Sequence, residues 1–480
     1  MKLPIKSHVT IQDAKLIWQA GVDAVIPAPL IAKNVQCFTR NDGLVLKIAN
    51  QEYSLGSQGR LFVIGMGKAS ASMAQGLEES CSSLLKSGRI LGHVNIPEGN
   101  PGRTTAIELW PARAAGCNEP SVAGVEGSYK ILQLLEQATC PDDLILCLVS
   151  GGGSALLPLP IPEITLDEKL YVTRFLSGAG ANINELNTVR KQLSLVKGGG
   201  LRRLCSGRRL VSLILSDVPG DPLDIIASGC TVANATTARD ALTILQNFHA
   251  ESDKSLDHII HVLTEKSQKK ESDDSVDDRE HKNIIIGSNK TAVQAAAAKA
   301  RSLGYQPRTH SATVCEGQAE ATGRALIKES RQIFDGSRPD HSLFWSDDDF
   351  DAVSLQDCDC IISGGEPVVE LVPREFRGLG GRNTQLVLAA LLESLTTPEN
   401  CIPIFLSGGT DGEDGPTESA GAYFDSTLIN RVKTAIQAKE LDPVDYLERN
   451  DAWHFFEKID ALFSPGATGT NVCDLRIVLK

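Results

Sequence analysis

The sequence lacks any apolar run approaching the roughly 18 residues of a membrane-spanning helix, so it predicts no membrane partner. Its first thirty residues have neither the apolar segment of a signal peptide nor the Arg- and Ser-rich, acid-poor bias of a transit peptide. The 12 cysteines form no CxxC pair, and several lie in apolar runs, where they act as small hydrophobic residues. These absences predict a cytoplasmic protein, with mitochondrial import left open.

Positive charge is also scarce in this chain. There are 47 Lys and Arg against 60 Asp and Glu, which gives a formal net charge of −13. A nucleic acid backbone needs a surplus of cations to neutralise it, so this balance excludes a general nucleic-acid binder. An anionic substrate must instead be held by a local group of cations.

The chain does contain a repeated pattern, in which a short apolar run is followed directly by a glycine-rich loop. Three of them, at 143–149, 359–362 and 402–406, end in Ser-Gly-Gly. In open α/β sheets ligands bind beyond the carboxyl ends of strands, so these exits are expected to converge on one crevice. A tight strand-to-helix turn is the alternative for any one of them. The candidate binding residues in these loops are Ser150, Gly151, Gly152, Gly153, Ser154, Gly364, Gly365, Glu366, Gly408, Gly409 and Thr410.

The run at 60–64 predicts another strand, which ends in Gly65, Gly67 and Lys68 before a helix of small residues. Glycines followed by a lysine at a helix N-terminus resemble a phosphate-binding turn, because backbone N–H groups and the helix dipole favour an anion there. The spacing is not that of GxxxxGK[ST], and Ser70 stands where GxGxxG has its third glycine. A surface lysine after a turn is the alternative.

Two further groups of charged residues follow in the first half of the chain. Arg190, Lys191 and Lys197 precede the triple glycine at 198–200 and could hold a carboxylate or a phosphate, with a solvated helix face as the alternative. Asp217 follows the apolar run at 210–215, where α/β enzymes place a metal-binding or general-base carboxylate. An Asx turn or a helix cap is the alternative there.

Charged residues also surround the loops of the second half. Asp411 and Asp414 form a dense carboxylate pair that suits a metal ion or a proton. Arg382 follows two glycines at the start of an apolar helix. A cation at this end of a helix is unfavourable unless an anion joins it, so Arg382 predicts a ligand.

The length of the chain exceeds what one hydrophobic core supports and predicts two α/β domains. An almost wholly polar segment at 267–282 is interpreted as a loop that divides residues 1–266 from residues 283–480.

Together these motifs resemble the second class of glycerate kinases, whose C-terminal part is the MOFRL domain. The segments that carry the resemblance lie in order along nearly the whole chain: GMGKAS at 65–70, VSGGGSALLP at 149–158, NTVRKQLSLVKGG at 187–199, SDVPGDPLDIIASG at 216–229, SGGEPVVEL at 363–371, GGRNTQLVLA at 380–389, SGGTDGEDGPTESAGA at 407–422 and TGTNVCDL at 468–475.

The resemblance implies an N-terminal Rossmann-like parallel sheet flanked by helices and a smaller C-terminal α/β domain with its MOFRL region at about 358–475. It places the active site in the cleft between them. It also implies ATP and Mg²⁺ as cofactors, and transfer of the γ-phosphate to D-glycerate, giving 2-phosphoglycerate or 3-phosphoglycerate. The family's proposed lysine and arginine correspond to Lys68 and Arg382. Asp217 joins them as a catalytic residue, and Asn471 joins the binding residues.

The sequence departs from the family pattern at Gln192, where a histidine is expected, and at Cys230 and Ala467, where prolines are expected. The alternative function is a hydroxy-acid oxidoreductase with a Rossmann-bound nicotinamide cofactor, which the missing GxGxxG disfavours. Monomer and homodimer both remain open.

Overall fold

The computed structural model describes residues 9–40, 43–99, 102–269, 276–277, 279–346, 355, 357–398 and 401–480. Within these ranges the chain forms two compact units. The first unit comprises Pro27–Ile286, and the second joins the described residues up to Ile26 to Gly287–Lys480. In the described part of the chain, every helix is too short or too polar to cross a membrane.

The chain begins with helix α1 (Ile11–Asp23), which belongs to the second unit. The strands of the first unit are β1 (Val35–Arg40), β2 (Gly43–Ile48), β3 (Gln51–Gly56), β4 (Leu61–Met66), β5 (Ile90–Pro97), β6 (Ile107–Arg113), β7 (Leu144–Val149), β8 (Arg209–Leu215) and β9 (His281–Gly287). Its helices are α2 (Pro27–Asn34), α3 (Ser70–Ser80), α4 (Ser82–Lys86), α5 (Val122–Glu136), α6 (Gly153–Leu156), α7 (Leu166–Gly178), α8 (Ile183–Gln192), α9 (Gly200–Leu204), α10 (Ala238–Asn247) and α11 (Asp257–Gln268).

The main sheet of the first unit has the order β6-β5-β4-β7-β8-β9, and β4 to β8 run parallel. This is the strand order of a Rossmann fold, in which the order reverses between β4 and β7. Both of these strands are buried at every position, as expected for a parallel sheet covered on both faces. The predicted Rossmann-like sheet is confirmed, and ligands of such sheets bind where β4 and β7 end. The strands β1, β2 and β3 form a small antiparallel sheet of their own.

The second unit continues with strands β10 (Pro307–Ser311), β11 (Cys360–Gly365), β12 (Ile404–Gly409), β13 (Gly421–Phe424), β14 (Leu462–Phe463) and β15 (Asp474–Leu479). Its other helices are α12 (Asn289–Ser302), α13 (Ala319–Phe334), α14 (Arg382–Ser394), α15 (Ser426–Gln437), α16 (Pro443–Glu448) and α17 (Ala452–Lys458).

The sheet of the second unit is mixed, with the order β10-β11-β15-β12-β13-β14. Strand β15 is antiparallel to both β11 and β12, so β11 and β12 end at the same edge, where β15 begins. Alternate residues of β11 and β15 are buried in two different hydrophobic cores, one on each face of the sheet. Ile361 and Val478 pack in the same core as α13 and α14, whereas Ile362 and Ile477 pack in the same core as α1 and α12. This period of two is what a strand buried on both faces requires.

Helix α1 corrects the predicted division of the chain, which placed residues 1–266 in one domain. Ile17 and Trp18 are fully buried in the core that contains α12 and β15. The Trp18 indole Nε1 also donates to the carbonyl of Gly408 at 3.1 Å. Burying one large apolar side chain stabilises a fold by roughly 1.5–3 kcal/mol, so this contact fixes α1 to the second unit.

Strand β9 is a second correction, because residues 283–286 were predicted to open the C-terminal domain. It lies instead at the edge of the first unit's sheet, beside β8. The polar segment predicted at 267–282 falls partly outside the described residues. The first two residues of that segment, 267 and 268, are not loop, because helix α11 extends to Gln268.

Candidate active site

The loops that leave β4 and β7 are bonded directly to each other. Gly67 has a φ of +139°, and a Cβ at this position would lie 2.1 Å from Ser150 Oγ. The amide of Ala69 donates to Ser150 Oγ at 3.0 Å, and the amide of Lys68 donates to the carbonyl of Gly151 at 2.9 Å. The phosphate-binding turn and the first Ser-Gly-Gly loop therefore converge, and the Ser150 hydroxyl positions the turn.

Asp217 comes from the end of β8 to the same place. A Cβ at Gly151 would lie 2.0 Å from Asp217 Oδ2, so only glycine leaves room for this carboxylate. Burial raises the pKa of Asp217, while the nearby Lys68 ammonium opposes the rise. Three neighbouring strands thus bring an amine, a glycine loop and a carboxylate with raised proton affinity to one edge of the sheet.

A cavity of about 240 Å³ opens beside this edge. Gly152 lines it, and a Cβ there would lie 3.2 Å from Arg113 Nη2 and 3.6 Å from Lys68 Cγ. The basic side chains on the cavity wall are Arg113, Lys169, Arg174, Arg190 and Lys197. Glu119 is an acidic residue on the wall, and it is engaged in a two-bond pair with Arg174.

The partners of the buried cations are neutral. Lys197 Nζ donates to the carbonyl of Ser154 at 2.6 Å and to its hydroxyl at 2.9 Å. Arg113 Nη1 donates to the side-chain oxygen of Asn118 at 2.9 Å, and Arg190 Nη2 donates to that of Asn187. None of these bonds neutralises a charge, and the cations consequently repel one another.

Lys169 is the cation of this group with the fewest described hydrogen bonds. Its side chain is only 3% exposed, and within the part of the chain that the structure describes its ammonium has no hydrogen-bond partner. The Nε atoms of Arg113 and Arg190 are unpartnered in the same sense. Burial, with a smaller contribution from Arg190, lowers the pKa of Lys169 to about 7. Burial and the charges of Lys169 and Arg190 also lower the pKa of Lys197.

The second unit has its own polar edge, where β11 and β12 end and β15 begins. Arg382 Nη1 donates to Glu366 Oε1, and its Nε donates to Asp474 Oδ2, both at 2.8 Å. The Asp474 carboxylate holds the pKa of Arg382 above its ordinary value, and Glu366 adds to this. The anion that Arg382 was predicted to require at its helix N-terminus is therefore supplied by the protein itself.

Asp414, predicted as a metal ligand with Asp411, caps the helix α14. Its Oδ1 accepts from the amide and side chain of Asn383, and its Oδ2 accepts from the amide and hydroxyl of Thr384. Burial raises the pKa of Asp414 to about 6. Each oxygen already accepts two hydrogen bonds, so we assign Asp414 to helix capping, and these contacts give its predicted metal role no support.

Asp411 lies beside two other predicted site residues. Asn471 Nδ2 donates to Asp411 Oδ2 at 3.2 Å, and a Cβ at Gly409 would lie 2.9 Å from Asp411 Oδ1. The Thr410 hydroxyl is engaged differently, because it donates to the carbonyl of Cys473 at 2.6 Å and accepts from the amide of Val472. Among the described residues, no group of three His, Cys, Asp or Glu side chains could hold a metal ion.

The remaining predicted glycines of the second unit lie against protein atoms. A Cβ at Gly364 would lie 2.1 Å from Asn289 Oδ1, and one at Gly365 would lie 2.0 Å from Glu316 Oε2. Gly408 packs under Trp18 and Phe463. Close packing within the unit accounts for these glycines, and their contact with a ligand stays a prediction.

Two departures from the family pattern have structural roles. Gln192 is buried, donates to the carbonyl of Thr236 at 2.6 Å and accepts from Lys266 Nζ at its own carbonyl, so it joins three segments of the first unit. Cys230 is buried in the core of this unit.

Sequence reasoning missed Lys169 and Arg113, although it identified Arg190 and Lys197. A signal for Lys169 was present. It occupies the same face of α7 as the buried residues Val172 and Leu176, at the i, i+3 and i+7 positions of an apolar stripe. A lysine in such a stripe is buried, and a buried ammonium is costly unless an anion pairs with it. Arg113 stands at the end of β6, a position that ordinarily faces a ligand crevice.

Fold and site together define the protein as an α/β enzyme whose first unit gathers cations at the switch point of a Rossmann-type sheet. Comparison with known proteins agrees and is more specific. The family described as DUF4147, a domain of unknown function, matches residues 13–264, and the MOFRL family matches residues 359–474.

Relatives match over nearly the whole chain. A glycerate kinase of Danio rerio is 35% identical over 97% of each chain, and a D-glycerate 2-kinase of Thermotoga maritima is 32% identical over 88% of this chain and 90% of the relative. The crystal structure of a glycerate kinase from Thermotoga maritima superposes with a TM-score of 0.75 at 28% identity, covering 98% of both chains. The chain therefore belongs to the glycerate kinase family and is an enzyme of the kinase class.

Proposed function

We propose that this protein transfers the γ-phosphate of ATP to the 2-hydroxyl of D-glycerate, giving ADP and 2-phosphoglycerate. The observation that carries the proposal is the meeting of Lys68, Gly151 and Asp217 at the ends of β4, β7 and β8. The choice of the 2-hydroxyl is supported by the name of the Thermotoga maritima relative, a D-glycerate 2-kinase.

In the proposed reaction, the substrate hydroxyl oxygen forms a bond to the γ-phosphorus while the bond to the β,γ-bridging oxygen breaks and ADP leaves. The hydroxyl proton passes to the carboxylate of Asp217, whose raised pKa suits a base. Phosphoryl transfer has a loose transition state, so the protein contributes mainly position and charge. Lys68 would neutralise the oxygens of the transferred group, and the glycine turn with Gly65 and Gly67 would offer backbone N–H groups.

Mg²⁺ is the cation that ATP chemistry implies, and its bound role would be to neutralise the β- and γ-phosphates. It usually keeps several waters and takes only one or two protein carboxylates. Asp411 fits this need, and Asp217 would fit it only if another group took the hydroxyl proton. Asp414 does not fit, because its oxygens are saturated by helix α14.

Arg382 remains in the proposal as a second cation for the phosphoryl group or the glycerate carboxylate. Its side chain is 30% exposed although Glu366 and Asp474 hold it. These two carboxylates would fix the direction of the guanidinium, as supporting residues do in active sites. Asn471, Gly409 and the loop at 150–154 stay predicted binding elements, and an active site between the two units stays a prediction.

A coupled assay of ADP release with D-glycerate and ATP tests the reaction, and phosphorus NMR of the product identifies the phosphorylated hydroxyl. We expect ADP in equal amount to 2-phosphoglycerate. In a parallel reaction without coupling enzymes, D-glycerate and NAD(P)⁺ should give no change in NAD(P)H absorbance. Turnover of the nicotinamide with no ADP release would replace the proposal by the oxidoreductase alternative.

A further inference from the structure

The cavity beside Gly152 gathers cations on its wall. It holds the side chains of Arg113, Lys169, Arg190 and Lys197, and their hydrogen bonds within the described residues go to neutral oxygens. Taking a cation out of water costs several kcal/mol unless an opposite charge compensates it. Lys169 is almost fully buried and, in the part of the chain described, has no hydrogen-bond partner. Its ammonium therefore indicates a place where an anion would compensate the charge.

The size of the cavity limits what the missing anion can be. Its volume of about 240 Å³ is below the roughly 300–1,000 Å³ of pockets for drug-sized ligands. This volume suits a three-carbon acid better than a whole nucleotide. Apolar atoms of Pro158 and Leu170 share the wall with the cations, which suits a short carbon chain with one charged end.

The wall carries groups that recognise a carboxylate. Arginine guanidiniums bind carboxylates, as they bind phosphates, through two parallel N–H bonds, and within the described residues Arg113 and Arg190 each keep an unpartnered Nε. Phosphates are often held by backbone N–H groups of glycine turns at helix ends, and the turn at Gly65 and Gly67, which we assign to the transferred phosphoryl group, is not part of this wall. A Cβ at Gly152 would lie close to both Arg113 and Lys68, so an acid in the cavity would have its hydroxyls near the proposed phosphoryl site.

We propose that this cavity binds the carboxylate of the glycerate substrate, with Lys169 and Arg190 as the residues that select an acid over a neutral polyol. The proposal rests on the proposed kinase function and adds to it the position of the acceptor substrate. Lys169 and Arg190 are specificity residues in this scheme, whereas Lys68 and Asp217 act on the transferred group.

The test uses the full-length protein and the variants Lys169→Met and Arg190→Gln. The matched control is Lys266→Met, because Lys266 is another partly buried lysine of the first unit that donates only to a backbone carbonyl in the contacts described. Initial rates are measured while D-glycerate and ATP are varied in turn, and again with glycerol, which has no carboxylate. Calorimetry follows the binding of D-glycerate without nucleotide, and thermal melting checks that each variant is folded.

We expect the KM for D-glycerate to rise tenfold or more in both cavity variants, the size of one lost charged hydrogen bond. The KM for ATP should stay within twofold, and the preference for D-glycerate over glycerol should fall by the same factor. The Lys266→Met control should match the wild type in all three. Arg190→Gln removes a half-buried side chain and keeps the test decisive if Lys169→Met does not fold.

Two results would overturn the proposal. A rise in the KM for ATP with an unchanged KM for D-glycerate would assign the cavity to nucleotide phosphate. Unchanged constants in folded variants would show that it binds neither substrate. A wild-type protein that binds D-glycerate but releases no ADP would instead refute the kinase function, and loss of that binding in Lys169→Met would still support the cavity as the acid's site.

Discussion

The second unit surrounds the Arg382 guanidinium with two carboxylates of its own, whereas the first unit holds Lys169 and Arg190 in a cavity where the described hydrogen bonds go to neutral groups. Both arrangements bury positive charge close to the ends of buried strands. The difference lies in the source of the compensating anion, which is the protein itself at Arg382 and would be a ligand at Lys169 and Arg190. A cation paired within the fold mainly organises its surroundings, and a cation left without a counter-charge indicates a ligand.

Replacing Lys68 should have the largest effect of all on activity. We expect Lys68→Met to lower kcat about 10³-fold, because a charge directed at the transferred group stabilises the transition state more than the substrate. The melting temperature should stay near that of the wild type. The exposed Lys86 at the end of α4 offers the control Lys86→Met, which should keep full turnover. Near-normal turnover in Lys68→Met would remove this residue from the mechanism.

Replacing Arg382 should affect stability as well as activity, in contrast to the cavity cations. Arg382→Gln leaves the buried carboxylate of Asp474 without its cation, and we expect a loss of about 1–3 kcal/mol in the free energy of unfolding. The double variant with Asp474→Asn should recover part of that loss. Urea titration measures both. An unchanged midpoint in the single variant would mean that the pair organises nothing.

The smallest effect, taken per pH unit, is the pH dependence of stability at Lys169. Its pKa is lowered to about 7 from 10.5, so the ligand-free wild type carries a full penalty below pH 7 and loses it as the pH rises towards 10.5. Relative to Lys169→Met, the wild type should therefore gain about 1 kcal/mol per pH unit above 7. The charged groups facing Lys169 are Arg113, Arg190, Lys197 and the Arg174–Glu119 pair.

Urea unfolding at pH 6.5, 8 and 9.5 without substrate measures this difference between wild type and variant. D-glycerate should reduce the pH dependence, since a bound anion restores the pKa of the ammonium. A constant difference across the range would show that Lys169 is charged in both states or in neither. Lys197→Met serves as the companion variant, because its amine titrates in the same cavity.

The sequence predicted those parts of the site that are local in the chain. Glycine, lysine and aspartate directly after apolar runs indicated where strands β4, β7 and β8 end, and parallel pairing then brings those ends together. The partner of Arg382 could not be found in this way. Asp474 lies 92 residues further along, at the start of an antiparallel strand, and nothing local links the two. Lys169 was missed because a charged residue in a helix is ordinarily assigned to the solvent face.

The division of the chain was mispredicted for a related reason. The amphipathic pattern of α1 shows that one face is buried, with Ala14, Ile17 and Trp18 upon it, but not against which element. The capping box formed by Thr10 and Asp13 defines only where the helix starts. Its partners, α12 and β15, come hundreds of residues later, and only tertiary packing selects them.

That position of α1 also orders the events of protein synthesis. The ribosome makes α1 well before the strand β15, on which it packs, so the apolar face of α1 stays uncovered while Pro27–Ile286 emerges and folds. The second unit can close only after β15 has left the exit tunnel.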